Sequence, residues 1–264
     1  MSQLHWLDQQ DLWFPPSELA LRDPDGLLAV GGDLSVERLV ASYSRGIFPW
    51  YSEGQPLLWW TPDPRMVMSP NDIYLSKSLR KLLRKQPFTI KVDTAFSAVV
   101  KHCGSIPRRD QDGSWITPEM IAAYLELHEL QIAHSVEAWS DNTLVGGLYG
   151  VSLGRVFYGE SMFSLQSGAS KVAFVALCQQ LQQWQFGLVD CQIQSDHLAS
   201  LGAAEIPRDV FEAELSTLIW EKPAGAANHL VYPEVLESSE APPILHWRKA
   251  WQLPEYGFDG TSDT

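Results

Sequence analysis

The sequence predicts an α+β fold: a small, irregular N-terminal α/β domain packed on a larger α/β domain built around a sheet. Three observations carry this reading. The first 66 or so residues are broken repeatedly by turn formers, among them Phe14-Pro15-Pro16, Asp23-Pro24-Asp25-Gly26, Gly31-Gly32-Asp33 and Thr61-Pro62-Asp63-Pro64, so regular elements there must be short. Between 133 and 163 three strand-forming stretches follow one another, separated by Asp141-Asn142 and by Gly154, which is the pattern of an antiparallel series. A long apolar helix over 169–184 then leads into a short apolar strand over 188–193, so a strand returns to the sheet after a helical crossover.

In the N-terminal block, residues 1–66, the spacing of Val36, Leu39, Val40 and Tyr43 predicts a helix over 35–45 that Gly46 and Pro49 stop. So little regular structure gives this block a small core, and it must lean on the rest of the chain. Residues 67–235 form the main domain. It opens with a helix over 71–85 and a strand over 88–92. A helix carrying Phe96, Val99, Val100 and Cys103 on one side follows, and then a helix with Thr117 as cap and Pro118 in its first turn. The strands over 133–139, 143–151 and 155–163, the long helix, the strand over 188–193 and a last helix over 208–220 complete it. Residues 236–264 are polar and acidic, with Glu237, Glu240, Pro242 and Pro243, and read as a partly ordered tail.

Composition bounds the function. The 264 residues are 45% hydrophobic, enough for a real core. A net charge of −13 excludes a uniformly basic nucleic-acid binder, so any RNA contact must come from a local patch. No apolar run approaches the roughly 18 residues that span a bilayer, and the first residues lack a basic stretch followed by an apolar one. Cys103, Cys178 and Cys191 are odd in number and form no CxxC pair, which fits a reducing compartment. A cytoplasmic protein with no membrane partner is expected.

Three features can carry chemistry. The stretch 77–85 holds Lys77, Arg80, Lys81, Arg84 and Lys85, five of the 19 basic residues, and no acid. At about 100° per residue these cations share an arc of about 140°, opposite the leucines. The arc is either a solvated face or a surface for a polyanion such as RNA, and its concentration on an acidic protein favours the second. Trp50-Tyr51, Trp59-Trp60 and Trp115, with Tyr124 shortly after, lie on turn-rich segments; they are either core or a supply of rings for stacking on a base or lining an apolar pocket. Asp190-Cys191-Gln192 lies on an apolar strand, where alternation puts Asp190 and Gln192 on one face. They form either a structural hydrogen-bonded pair or a polar site at the sheet end, joined there by Glu160, and two acids converging on one pocket would favour a cationic partner.

Other chemistries lack their patterns. The histidines show no metal-ligand spacing, Gly159-Glu160-Ser161 lacks the second glycine of a nucleophile elbow, and 166–171 matches a phosphate-cradling loop in a single glycine. No metal and no cofactor is expected.

Taken together, several ordered strings resemble the bacterial leucyl/phenylalanyl-tRNA–protein transferase family. They are Gly26-Leu-Leu-Ala-Val-Gly-Gly-Asp-Leu34, Arg45-Gly-Ile-Phe-Pro-Trp50, Trp59-Trp-Thr-Pro-Asp-Pro-Arg65, Trp115-Ile-Thr117 and Gly146-Gly-Leu-Tyr-Gly150 in the first half. Gly159-Glu-Ser-Met-Phe-Ser164, Ala169-Ser-Lys171, Asp190-Cys-Gln192 and His197-Leu-Ala-Ser-Leu-Gly202 follow. The resemblance spans about residues 4–233. It implies a family-specific N-terminal domain and a C-terminal domain of acetyltransferase (GNAT) type. It also implies transfer of Leu or Phe, less readily Met, from aminoacyl-tRNA to a protein's N-terminal Arg or Lys, marking that protein for degradation by the N-degron pathway. A monomer is expected.

By the same resemblance, Trp50, Leu148, Phe157, Phe174, Leu177 and Val189 correspond to the pocket for the aminoacyl side chain. Trp115 corresponds to the ring that stacks on the 3′-terminal adenine, with Tyr124 beside it. Glu160, Asp190 and Gln192 correspond to the polar site for the acceptor amine, and 77–85 to the tRNA-binding face. Two rival readings are an acyl-CoA-dependent N-acetyltransferase, whose pyrophosphate loop 166–171 does not match, and a non-catalytic tRNA-binding adaptor, which has no use for a buried Asp190, Gln192 and Glu160.

Overall fold

A computed structural model describes residues 4–105, 116–224, 227–231, 233–236 and 241–252. The N-terminal block is more regular than its turn formers suggest. Strands β1 (His5–Leu7) and β2 (Leu27–Gly31), helix α1 (Val36–Tyr43) and strands β3 (Phe48–Pro49) and β4 (Leu58–Trp60) give a four-stranded sheet in the order β1-β2-β4-β3. The strands are two to five residues long, too short to show a period of their own. The Ser35 hydroxyl accepts from Arg38 N–H and caps α1.

The second sheet begins with β5 (Arg65–Met68), which crosses the position where the sequence divides the chain. Next come α2 (Lys77–Lys85), β6 (Thr89–Val92), α3 (Phe96–Ser105), α4 (Pro118–Glu129), β7 (Ala133–Ser140), β8 (Thr143–Leu153) and β9 (Val156–Ser164). Helix α5 (Ala169–Gln183), strand β10 (Leu188–Gln192), helix α6 (Asp196–Ala199), strand β11 (Ala204–Ile206) and helix α7 (Arg208–Leu218) complete it. Seven strands lie in the order β11-β5-β10-β9-β8-β7-β6. Their pairings are antiparallel except for β9 with β10, the parallel pair that the crossover through α5 produces. The α+β class is therefore as the sequence predicts.

Alternation along the strands feeds two cores. Tyr149, Val151 and Tyr158 face α3, α4 and the N-terminal block, so that Phe14, Leu39 and Trp59 share one core with Val99 and Tyr124. Leu148, Phe157 and Val189 face α5, which is buried along most of its length and is covered on its outer side by Leu79 and Leu83 of α2. Gly168 caps α5 in the left-handed region, φ 83°, and a Cβ there would collide with Leu82, so this glycine allows α2 to lie against the start of α5.

The stretch read as a partly ordered tail is built into the fold from 241 to 252. Strands β12 (Leu230–Val231) and β13 (Ile244–Leu245) pair, and α8 (Trp247–Ala250) follows. Trp247 is wholly buried, stacked on His134 with ring centroids 4.3 Å apart and packed against Phe157 at 5.6 Å. The apolar anchors Ile244, Leu245 and Trp247 outweigh the acidic composition around them.

Candidate active site

Two β-bulges at the same level of the sheet aim the site's polar side chains. On β9 the register against β8 shifts so that Glu160 has no opposite partner between Ser161↔Tyr149 and Gly159↔Gly150. On β10 the register against β5 shifts at Cys191, and Gln192 takes the left-handed conformation, φ 65°. Bulges re-aim side chains that simple alternation would place elsewhere. As a result Glu160 and Gln192 meet across the parallel pair, with Gln192 Nε2 donating to Glu160 Oε1 at 2.9 Å. Alternation predicts that Asp190 and Gln192 share one face; the bulge separates them. Gln192 lines a cavity, while Asp190 sits behind the wall.

The cavity has a volume of about 550 Å³. Trp50, Leu148, Phe157, Phe174 and Val189 supply apolar wall, and Glu160 and Gln192 lie on the same cavity. Trp50 comes from the N-terminal sheet and is fixed by Trp60, whose indole N–H donates to the Trp50 carbonyl at 2.6 Å. The cavity therefore lies at the seam between the two sheets, with the start of α5 contributing Ser170 and α6 contributing His197 and Leu198. Cys191 also lines it. Burial pushes its thiol well above the usual range, so it is no nucleophile.

Glu160 is almost fully buried. It accepts from Tyr43 Oη at 2.8 Å and from Tyr124 Oη at 2.6 Å, and these two hydroxyls lie 2.6 Å apart. Burial raises its carboxyl to about 7, opposed by the two phenol donors. Tyr43 and Tyr124 are themselves pushed well above the ordinary phenol range, first by burial and then by the Glu160 charge.

Asp190 is held from β5. Arg65 Nε and Nη2 donate to its two oxygens at 2.8 and 2.6 Å, and both side chains are out of contact with water. The guanidinium lies between the rings of Phe48 and Phe211, 4.8 and 4.6 Å from their centroids, an environment that suits a weakly hydrated cation. Asp190 Oδ1 also accepts from Gln192 N–H at 2.9 Å. Arg65 and Asp190 thus pin the backbone of the bulge that presents Gln192. The Asp190 charge is offset by Arg65, which leaves Glu160 as the acid that opens on the cavity; the expectation of two acids converging there is corrected accordingly.

Other residues singled out in the sequence fall as follows. Tyr124 is fully buried with its hydroxyl on Glu160, so it reaches the site through that carboxylate and has no face for an adenine. Leu177 is wholly buried on α5, in the layer behind Phe174. Trp115 lies outside the described residues. Lys77, Arg80, Lys81, Arg84 and Lys85 are all exposed on α2. The sequence assigns no site role to Arg65 or Tyr43: each stands in a recognisable string or helix, yet their partners are 125 and 117 residues away.

Asp93, His128 and His134 bring their ligand atoms within 4.8 Å of one another, a juxtaposition that spacing did not show. His134 Nδ1 is 2.8 Å from Asp93 and its Nε2 2.8 Å from the Gln131 carbonyl, while His128 Nδ1 is 2.8 Å from the Ala133 carbonyl. With these nitrogens so engaged, the group reads as a hydrogen-bonded cluster. Among the described residues no helix is long and apolar enough to cross a membrane.

Comparison with known proteins bears on this site directly. A family model described as leucyl/phenylalanyl-tRNA protein transferase matches residues 67–216, and the model of that family's N-terminal domain matches 32–63. The leucyl/phenylalanyl-tRNA–protein transferase of Teredinibacter turnerae is 60% identical over 97% of this chain and 99% of its own. That of Saccharophagus degradans is 52% identical over the same shares. Among solved structures, a GCN5-related N-acetyltransferase from Kribbella flavida superposes with a TM-score of 0.35 and 14% identity, over 62% of this chain and 58% of that one. The sequence matches decide the matter: the chain belongs to the leucyl/phenylalanyl-tRNA–protein transferase family.

Proposed function

We propose that the protein transfers leucine or phenylalanine, less readily methionine, from aminoacyl-tRNA to the α-amine of proteins that begin with Arg or Lys, and that this marks them for N-degron degradation in the cytoplasm. The observation that carries the reading is the single cavity on which Trp50, Leu148, Phe157, Phe174 and Val189 stand beside Glu160 and Gln192. Its apolar wall suits an aliphatic or aromatic hydrocarbon side chain. Its one open carboxylate suits a cationic first residue.

An aminoacyl ester is already activated, so the chain's task is to hold an amine against the ester carbonyl and accept its proton. Gln192 is the residue for orienting the amine, and its φ and backbone bond to Asp190 support that role. Asp190 acts as a positioning residue with Arg65 behind it. The apolar wall distinguishes Leu from smaller side chains by roughly 1–3 kcal/mol per methylene. The cations of α2 are the proposed tRNA contact, reading phosphates and not bases; Trp115 is retained as the proposed stacking partner of the terminal adenine. No cofactor is needed and a monomer suffices.

The test is transfer of labelled leucine from charged tRNA to peptides beginning with Arg, Lys or Ala, with labelled acetyl-CoA as the competing donor. Label on the Arg and Lys peptides from tRNA alone is the expected result. Label from acetyl-CoA would favour an acetyltransferase, and tRNA binding without transfer would favour an adaptor.

A further inference from the structure

The hydrogen count around Glu160 has a consequence for the proton in this reaction. Three oxygen contacts form a ring, Tyr43–Glu160 at 2.8 Å, Tyr124–Glu160 at 2.6 Å and Tyr43–Tyr124 at 2.6 Å. Each phenol carries one hydrogen. When both point at an ionised carboxylate, nothing lies between two phenol oxygens at a distance that an O–H···O bond normally spans. A proton on Glu160 closes the ring: the carboxyl donates to one phenol, that phenol to the other, and the second phenol to the remaining carboxyl oxygen. Three hydrogens then serve three contacts. Burial raises the carboxyl to about 7 against the pull of the two phenol donors on its ionised form, so the group takes up a proton near neutrality and can give it back.

We propose that Glu160 is the proton acceptor of the transfer, with Tyr43 and Tyr124 as positioning residues that hold it at the cavity wall and complete its ring when it is protonated. This rests on the transfer reading above. Asp190 cannot serve, because it does not line the cavity and is ion-paired with Arg65 behind the wall. Gln192 donates its amide N–H to Glu160, so the acceptor end of that amide is what remains for an incoming amine.

In the step, the amine nitrogen bonds to the ester carbonyl carbon and its proton passes to Glu160. The bond from that carbon to the ribose oxygen then breaks, and the proton passes from Glu160 to the leaving oxygen. Amine and ester become amide and hydroxyl, and the carboxylate is regenerated. The charged or titratable groups around Glu160 are Tyr43 from α1, Tyr124 from α4, Tyr149 from β8, Asp190 from β10 with Arg65 from β5 behind it, and His197 on the cavity from α6. Burial keeps the Tyr43 and Tyr124 phenols protonated throughout the neutral range and holds His197 below the usual imidazole value.

The experiment is the pH dependence of single-turnover transfer from leucyl-tRNA to an Arg-started peptide, for the intact protein and for Y43F, Y124F and E160Q. The intact protein should gain rate as pH rises through about 7, and gain again through the amine's own titration at about 7.7–8.0. Loss of one phenol donor should move the lower limb up by about one pH unit and leave the amine limb in place. E160Q should lose the lower limb and about 10²–10⁴ in rate. Tyrosine variants with an unmoved limb, or an E160Q protein with the intact profile, would overturn the proposal.

A second readout does not depend on transfer. The infrared carbonyl band of a buried carboxyl should be absent from E160Q, titrate near 7 in the intact protein and titrate higher in Y124F. Were the intact protein to transfer no leucine, the transfer reading would fall, and this band alone would decide the state of Glu160. Its absence from the intact protein at every pH would overturn the ring.

Discussion

Arg65 lays two nitrogens on the carboxylate of Asp190, at 2.8 and 2.6 Å, with both side chains shut away from water. Such a pair contributes little net stability when intact, because both ions were desolvated to form it, but removing one partner leaves a buried charge unmatched. Arg65→Met should therefore cost about 3–5 kcal/mol in urea unfolding. It should also lower transfer, since Asp190 no longer pins the Gln192 backbone. Arg65→Lys should recover stability only in part, lacking the fork that reaches both oxygens. A Met variant as stable as the parent would show the pair to be dispensable.

Glu160 links stability to pH. Its carboxyl is raised from the usual carboxylate value to about 7 in the folded protein, chiefly by burial. The folded state therefore holds this proton more tightly than the unfolded chain does. The resulting stabilisation, about 3 kcal/mol, is present below the unfolded value of about 4.5 and is lost as pH rises through about 7. Glu160→Gln should remove this dependence and raise Tm at about pH 8 relative to the parent. Parallel Tm curves for the two proteins across that window would contradict the assignment.

The alternatives left open for the cations on α2 are separable by salt. If Arg80, Lys81 and Arg84 meet tRNA phosphates, replacing all three with Gln should reduce the slope of log affinity against log salt by about two to three. Equal slopes would leave the helix a solvated face.

Trp247 joins the C-terminal segment to the cavity wall, since it packs on Phe157 as well as on His134. Trp247→Ala should cost about 3–5 kcal/mol in unfolding free energy. It should also weaken donor saturation more than acceptor saturation, because Phe157 belongs to the apolar side. A variant of parental stability would return this segment to the loosely held tail that its composition suggests.

The sequence made legible what periodicity carries. The helices at 36–43 and 169–183 and the strands of the second sheet fall close to their predicted ranges, because their apolar faces repeat over enough residues to be read. Strands β1 to β4 escaped, being too short and too rich in Gly and Pro. A polar site shared by Glu160, Asp190 and Gln192 is one of two readings that the strand pattern leaves open and the one the family resemblance implies; Glu160 and Gln192 do meet, with Asp190 behind them. The two bulges that aim them were not, since a bulge is one unpaired residue in a ladder and leaves no periodic trace. Tyr124 shows the same limit. Its ring reads as a stacking surface in sequence, whereas the fold turns it inward to hold a carboxylate. Arg65 carries no legible role in its string because its partner arrives from a strand 125 residues later.

The central claim is that an apolar wall and a proton-accepting carboxylate meet on one cavity, and a structure with a non-hydrolysable leucyl-adenosine analogue bound measures that most directly. The leucyl side chain should lie among Trp50, Phe157 and Phe174, with its carbonyl carbon within reach of an amine held by Gln192 and Glu160. Density for the analogue elsewhere, or a leucyl group pointing away from Glu160, would contradict the account.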